Sequence, residues 1–343
     1  METKSNITPN ILSKIGKNLH NKKNHPIEIV KQIIYKHLGS DFEKFDDLNP
    51  KVTIEDNFDL LLIPKDSPVR KHSDTYYFDE KHVLRTHTSA HQNELLSVGY
   101  NKFLVSGQVF RKDDVDKFHH CSFHQMEGVC VIEESQDAEI ELKATLSGII
   151  DVLFPGCNYR FKEDYFPFTN PSWEVEVMFN GQWLEILGCG IIQPEIMKNC
   201  GLESKTAFAF GIGIERLCLI LFKIPDIRYL WSEDPRFIEQ FASGEIIEFK
   251  EYSNFPPITR DIAFWISDKF HHNDFCEIVR EIGGDLIENV SLIDEFTNKT
   301  GKTSKCYRIV YRSNERTLTN EEINDIHEKI KNLSVEKLEI EIR

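Results

Sequence analysis

Several features that would settle the class of this sequence at once are missing from it. The longest strictly apolar run beside a helical pattern is Leu217–Phe222, far short of the roughly 20 residues needed to cross a bilayer, so no membrane partner is expected. None of the eight cysteines is spaced as CxxC. That argues against a disulfide framework or a structural zinc site and for reduced thiols in a reducing compartment. Positive charge is scarce, with 41 Lys and Arg against 56 Asp and Glu and a formal net charge of −15. A protein that coats nucleic acid wants a positive footprint over its whole surface, which excludes that class but not a single basic face. The segment 1–24 carries Lys4, Lys14, Lys17, Lys22 and Lys23 against Glu2. It lacks both the apolar core of a signal peptide and the arginine of an organelle presequence, and it reads as a polar arm on the domain surface.

What is present is enough chain for two domains and enough apolar side chain for a sizeable core: 343 residues, 40% hydrophobic, with 24 Phe. His25-Pro26 opens a helical pattern through Ile27, Val30, Ile33, Ile34 and Leu38, and Gly39 stops it. Phe58–Ile63 reads as a short buried strand ending at Pro64. Strands follow at Val83–Arg85, Phe103–Arg111 and Phe123–Ile132, with helices over His91–Gly99 and Asp137–Phe154. Trp173–Leu187 alternates apolar and polar residues about Asn180-Gly181, a strong hairpin signal because both turn positions need φ > 0. Phe208–Gly211 is a last strand running into a helix from Gly213 to about Phe222. Many antiparallel strands with few helices between them predict an α+β domain over 25–232.

A charged segment, 233–252, reads as a linker. Beyond it the order changes to strand (Ile262–Ile266), helix (Asp274–Ile282), strands (Val290–Phe296 and Tyr307–Arg312), a helix behind the capping box Thr319-x-x-Glu322, and a strand (Leu338–Ile342). That βαββαβ order over 253–343 is the ferredoxin-like unit.

Two segments carry the chemistry. Phe110-Arg111-Lys112-Asp113-Asp114 ends one strand and Ser122-Phe123-His124-Gln125-Met126-Glu127-Gly128 begins the next. An arginine fork can neutralise a phosphate and a Phe face can stack on a base. The same residues fit a surface hairpin with a core Phe equally well. The second segment, Ala207–Arg216, contains Gly211-x-Gly213-x-x-Arg216. A dinucleotide fingerprint needs a third glycine at Arg216 and a parallel βαβ context, and lacks both. The i, i+4 pairs His87/His91 and His120/His124 invite a zinc reading, but Thr88 stands where HExxH needs Glu.

Together these segments resemble motifs 2 and 3 of class II aminoacyl-tRNA synthetases. The resemblance implies a class II antiparallel sheet flanked by helices. It puts Arg111 on the ATP α-phosphate and the adenine between Phe123 and Arg216, with Pro64 as the motif 1 proline. Asp113 stands where many class II enzymes have Glu. Four stretches, His87-Thr-Ser-Ala-His-Gln92, His124-Gln-Met-Glu-Gly128, Tyr165-Phe-Pro-Phe-Thr169 and Glu185-Ile-Leu-Gly-Cys-Gly190, narrow it to the phenylalanyl-tRNA synthetases of the single-chain organellar kind, from about Ser5 to Arg343. That family implies Ser89, Gln125 and Glu127 on the ammonium and carboxylate of L-phenylalanine, with His87, Ala90, His91 and Gln92 beside them. Phe166 and Phe168 meet the substrate ring edge-on, and Ala209, with Phe210 beside it, limits the pocket depth. Glu185 reaches the nucleotide or its Mg²⁺. His119 and His120 lie near ATP or the tRNA acceptor end, while Glu174 and Glu176 fit plain exposed hairpin acids.

The C-terminal unit, starting at Asn254-Phe-Pro-Pro-Ile-Thr-Arg-Asp261, resembles the ferredoxin-fold anticodon-binding domain of the same enzymes. Lys299, Lys302, Lys305, Arg308, Arg312 and Arg316 face only Glu315 in their own stretch. Such a run is usually solvated surface; beside a tRNA-dependent enzyme, Lys305, Arg308 and Arg312 become expected phosphate contacts, Arg308 and Arg312 on one strand face. The implied reaction is ATP-dependent formation of phenylalanyl-adenylate and transfer to tRNA-Phe. Class II membership suggests the terminal 3′-OH, with phenylalanine enzymes the exception that uses the 2′-OH. The resemblance also implies a monomer in the mitochondrial matrix, with any cleaved presequence already absent. Two rivals stand beside it, a tRNA-independent ATP-using amino-acid ligase and a non-catalytic tRNA-binding paralogue.

Overall fold

The structure is a computed structural model that describes residues 5–252 and 254–343. The first four residues of the arm, and Ser253 at the expected domain boundary, lie outside the described residues. The arm is not confined to the surface. Thr8 caps α1 (Pro9–Lys14), its hydroxyl accepting from the Ile11 N–H. Ile11 is buried among Tyr76, Leu84, Phe110 and Cys121. Ile7 and Ile15, four residues to either side, pack against the same cluster, a helical spacing that the lysines around it mask in the composition.

Helix α2 (Pro26–Leu38) starts behind the His25 cap and ends at Gly39 in the left-handed region. It leads into β1 (Glu43–Phe45), β2 (Lys51–Thr53) and α3 (Ile54–Asn57). The strand expected over Phe58–Ile63 is a tight helical turn, Asp59–Leu61, closed by Leu62 at φ 57°. Phe58 and Leu61 are apolar because they are fully buried, and a run this short cannot distinguish strand from turn. Pro64 therefore follows a turn, and the premise for reading it as the motif 1 proline fails. The proline beyond an edge strand is Pro50, whose carbonyl accepts from the Arg85 N–H at 2.8 Å.

The chain continues through β3 (His82–Leu84), α4 (Gln92–Ser97), β4 (Lys102–Phe110), β5 (Ser122–Ile132), α5 (Ala138–Leu153) and β6 (Tyr159–Asp164). Then come β7 (Thr169–Phe179), β8 (Gln182–Ile192), α6 (Pro194–Asn199), β9 (Thr206–Gly213) and α7 (Ile214–Leu221). Strand β6 escaped the sequence reading because it is a mostly exposed edge strand of charged residues. Asn180 (φ 49°) and Gly181 (φ 80°) both take the left-handed turn that the hairpin requires. Seven of these nine strands form one sheet in the order β1-β4-β5-β9-β8-β7-β6, antiparallel except where β1 joins β4, and β2 pairs separately with β3. Helices α2, α5 and α7 cover one face through Ile27, Val30, Ile34, Leu146, Ile149 and Leu217, packed with Phe208 and Phe210 of β9. Short helix α8 (Pro235–Ile238) lies in the segment read as a linker, yet Phe237, Phe241 and Phe249 of that segment are buried in the same core. Their charged neighbours dominate the composition and hide the anchoring aromatics.

The C-terminal unit runs β10 (Ile258–Trp265), α9 (His272–Gly283), β11 (Ile287–Thr297), β12 (Thr303–Tyr311), α10 (Asn320–Leu338) and β13 (Glu341–Ile342). Its sheet has the order β11-β12-β10-β13. Phe264, Phe275, Tyr307, Ile309, Tyr311, Ile323 and Ile330 make a separate core between sheet and helices. Thr319 caps α10 by accepting from the Glu322 N–H at 3.2 Å, while the Glu322 side chain pairs with Arg316.

Candidate active site

The face of the large sheet opposite the helices forms a cleft of about 720 Å³. Alternation along β5 decides what enters it: Phe123, Gln125 and Glu127 line the cleft, and Met126 joins the helix-side core. Arg111 stands just past the end of β4. Its Nε donates to the Thr86 carbonyl at 2.6 Å, and its guanidinium lies 5.2 Å from the centre of the Phe123 ring. Enclosure by the cleft walls lowers the Arg111 pKa from its ordinary value; Arg216 adds to this and Asp113 opposes it. Arg216, in the first turn of α7, reaches the Glu185 carboxylate at 3.4 Å and the Glu185 carbonyl at 3.3 Å. Two guanidinium groups thus share one cleft, an arrangement that favours a polyanion between them.

The far end of the cleft is acidic and aromatic. Glu127 is almost wholly buried and accepts a hydrogen bond from the Ser89 hydroxyl. Its Oε1 makes no hydrogen bond among the described residues. Burial pushes the Glu127 carboxyl up to about 8, against the pull of Ser89 and Arg85. A buried acceptor without a partner fits a cation such as an ammonium. Gln125 accepts from the Thr88 N–H at 3.1 Å, tying β5 to the turn that carries Ser89. Phe166 and Phe168 both line the cleft, their rings 5.8 Å apart and within 12° of parallel. Gly188 permits this, because a Cβ there would sit 2.8 Å from the Phe166 ring. Ala209 of β9 completes this end and His87 joins it with its ring 6.4 Å from Phe168; Phe210 borders the cleft, but its ring packs over Gly128 in the helix-side core.

Three residues expected beside the substrate do not line the cleft. Ala90 packs with Phe58, Leu61 and Val83. His91 is buried with its ring 3.8 Å from the exposed Glu94 carboxylate, and Gln92 is buried against Asn93. They sit where the turn Thr88–His91 runs into α4, so the helical path carries them away from Ser89. The two histidines of the β4–β5 loop reach the cleft in different states. His119 bonds Asp116 at 2.8 Å, which raises its pKa. His120 stacks on Trp231 at 4.6 Å, and burial lowers its pKa well below the usual range.

Supporting residues were harder to see in the sequence. Arg85, 1% exposed, donates to the Gln108 carbonyl at 2.7 Å and lies so close to β4 that only a glycine fits at Gly107. Asn57 holds Thr86 through two 3.0 Å hydrogen bonds and so fixes the carbonyl that Arg111 uses. Glu215 accepts from the backbone N–H of His124 and bonds its Nδ1 at 2.7 Å, locking β5 to α7. The His124 Nε2 accepts from the Leu19 N–H, so the ring is the neutral Nδ1–H tautomer. Asn57 and Arg85 belong to no short motif and Glu215 is an unspecified position of Gly211-x-Gly213-x-x-Arg216; each is defined by a partner 23 to 91 residues away.

A sparse cation site fits the cleft. Glu185 and Glu174 both line it; Glu174 is tied to Lys162 at 3.1 Å, and Glu185 is half-exposed. No cluster of three or more metal-ligating side chains exists among the described residues. One or two carboxylates suffice for Mg²⁺ when phosphate oxygens supply the other ligands. Glu176 lies outside the lining and bonds Arg160 at 2.5 Å.

The C-terminal cations expected as one footprint do not form one. Lys305 pairs with Glu295 at 3.0 Å, and Arg308 grips Asp261 with two 2.8 Å bonds. Lys302 and Arg316 pair with Glu341 and Glu322. Arg312 lies past the end of β12, directed at Glu288 at 3.5 Å. Lys305 and Arg308 are three residues apart on a strand and face opposite ways. The acids come from other strands or from α10, which a reading of the run alone cannot include.

Comparison with known proteins follows the same division. The family described as tRNA synthetases class II core domain (F) matches residues 9–241, and the ferredoxin-fold anticodon binding domain matches residues 253–343. A chloroplastic/mitochondrial phenylalanine–tRNA ligase of Arabidopsis thaliana is 50% identical over 99% of this chain and 83% of its own length. A mitochondrial phenylalanine–tRNA ligase of Dictyostelium discoideum is 43% identical over 95% of this chain and 87% of its own length. A phenylalanine–tRNA ligase alpha subunit of Prochlorococcus marinus is 40% identical over 54% of each chain.

Proposed function

The chain belongs to the class II phenylalanine–tRNA ligase family, and from that premise we propose that it joins L-phenylalanine to tRNA-Phe in two steps at the cleft. The observation that carries the reading is the pairing, in one cleft, of two guanidinium groups with a buried carboxylate that has one oxygen without a partner among the described residues. One end suits a nucleotide and the other an amino acid.

In the first step the phenylalanine carboxylate attacks the α-phosphorus of ATP and pyrophosphate leaves. Arg111 neutralises charge growing on the α-phosphate, and the adenine lies between Phe123 and Arg216. Glu127, with Ser89 and Gln125, holds the ammonium, and Phe166 and Phe168 border the ring. Ala209 closes the depth of the pocket, which discriminates against the added hydroxyl of tyrosine better than desolvation alone, worth about 10²-fold. No side-chain nucleophile is required, so catalysis is positioning and charge stabilisation. Glu185, with Glu174 near it, would hold Mg²⁺, which when bound screens the phosphate charge. In the second step a hydroxyl of the terminal tRNA ribose attacks the acyl carbon and AMP leaves.

The division of labour assigns activation to residues 25–232, packed with the 233–252 segment, and tRNA anticodon binding to 253–343. The protein works as a single chain in the mitochondrial matrix, in keeping with relatives named for that organelle. Phenylalanine-dependent ATP–pyrophosphate exchange, followed by charging of tRNA-Phe, tests the reading. Both activities are expected; exchange without charging marks a tRNA-independent ligase, and neither marks a non-catalytic tRNA binder.

A further inference from the structure

The loop between β4 and β5 supplies Asp113, Phe118, His119 and His120 to the cleft, yet much of what holds it belongs to the C-terminal domain. The Arg280 guanidinium, from α9, donates to the Asp113 carbonyl at 2.5 Å. Asp274, at the start of α9, pairs with the buried Lys112 at 3.0 Å. His272 bonds Asp114 at 2.9 Å. Val115 leaves the catalytic domain altogether: it is 7% exposed and packed in the C-terminal core, with its carbonyl accepting from the Val290 N–H at 2.9 Å. Asn273 itself lines the cleft and bonds the Lys112 carbonyl at 3.4 Å.

The grip is built on buried polar groups. Glu277 and Arg280 are both nearly buried and paired at 3.0 Å, and Glu277 accepts from the Tyr76 hydroxyl at 2.7 Å and from Thr8 of the arm at 3.1 Å. Such a network has one low-energy arrangement, because moving any member strands another. Four consecutive loop residues, Lys112 to Val115, are therefore fixed from outside the domain whose site they complete.

We propose that the docked C-terminal domain is a positioning element of adenylate formation: Arg280, Asp274 and the pocket for Val115 hold the β4–β5 loop where it completes the ATP end of the cleft. This rests on the assignment of that end to ATP. The domain then serves the first step, which needs no tRNA, as well as the second. The phenylalanine end, formed by Glu127, Phe166 and Phe168, receives none of these contacts and is independent of docking.

The test uses the full chain without tRNA. ATP–pyrophosphate exchange is measured for Asp274→Asn, Asp274→Glu, Arg280→Met, Arg280→Lys and Val115→Ser, with thermal melting of each. Asp274→Asn, Arg280→Met and Val115→Ser are expected to raise KM for ATP about tenfold, the scale of a slightly misplaced binding group. KM for phenylalanine should stay within about twofold, and Asp274→Glu and Arg280→Lys should recover most of the loss. Unchanged KM for ATP in correctly melting variants overturns the proposal. So does a parallel rise in both KM values with lowered melting, which marks a purely structural role. Absence of phenylalanine-dependent exchange in the unaltered chain would instead overturn the functional assignment, and this inference with it.

Discussion

The large sheet and the small sheet treat their cations in opposite ways. In the cleft of the large sheet, Arg111 is held by a carbonyl and a ring, and Arg216 meets only the half-exposed Glu185. On the small sheet Lys302, Lys305, Arg308 and Arg316 are each matched to an acid. In the first, Arg111 makes no ion pair among the described residues, and the two guanidinium groups come from separate elements that face one cleft. Guanidinium groups brought to one cleft from separate elements mark a ligand site, and a run of cations along one strand does not.

Four substitutions probe that contrast, from the strongest effect down. Arg111→Ala should lower phenylalanine-dependent exchange by about 10²–10³, the cost of one preorganised charge-stabilising group; a loss under tenfold would place the α-phosphate elsewhere. Glu127→Gln should raise KM for phenylalanine by about 10², since a buried ammonium then lacks its counter-charge. This variant also has a pH signature. The free Glu127 carboxyl titrates at about 8, so below that pH binding of the ammonium must expel a proton. KM for phenylalanine in the unaltered protein should therefore fall as pH rises toward about 8 and flatten beyond. Glu127→Gln should be flat throughout, and a slope retained in the variant would assign the titration to another group.

Ala209→Gly should improve use of p-chlorophenylalanine about tenfold, the scale of one methyl in an apolar pocket. Unchanged kinetics with that analogue would remove Ala209 from the pocket floor. Arg308→Ala should weaken tRNA charging less than about fivefold and leave exchange intact, as the guanidinium is already committed to Asp261 at an exposed site. A larger loss, with a flatter salt dependence, would restore Arg308 as a phosphate contact and erase the contrast between the two sheets.

Legibility in the sequence follows the range of the forces involved. The hairpin at Asn180-Gly181, the stop at Gly39, the Thr319 cap and the βαββαβ order are set by neighbours a few residues apart, and all were readable. Phe123, Gln125 and Glu127 of β5 were expected from the motif resemblance alone, and alternation along the strand is the physical reason they line one cleft. What escaped depends on partners far along the chain. Phe58–Ile63 is buried by tertiary packing rather than by sheet formation. Ile11 and Phe249 anchor segments whose composition is polar. Ala90, His91 and Gln92 share a motif with Ser89, but the turn rotates them out of the cleft. The acids opposite Lys305 and Arg308 lie 10 and 47 residues away. The hold of α9 on the β4–β5 loop joins residues more than 150 apart.

The central claim is that one cleft holds the nucleotide between Phe123 and Arg216 and the amino acid against Glu127. A crystal structure with a non-hydrolysable phenylalanyl-adenylate analogue tests it directly. The account predicts adenine stacked between Phe123 and Arg216, the phosphate mimic on Arg111, the ammonium within hydrogen-bond distance of Glu127 and the phenyl ring beside Phe166 and Phe168. An analogue bound with its ammonium away from Glu127, or with its adenine outside the Phe123–Arg216 pair, would contradict it.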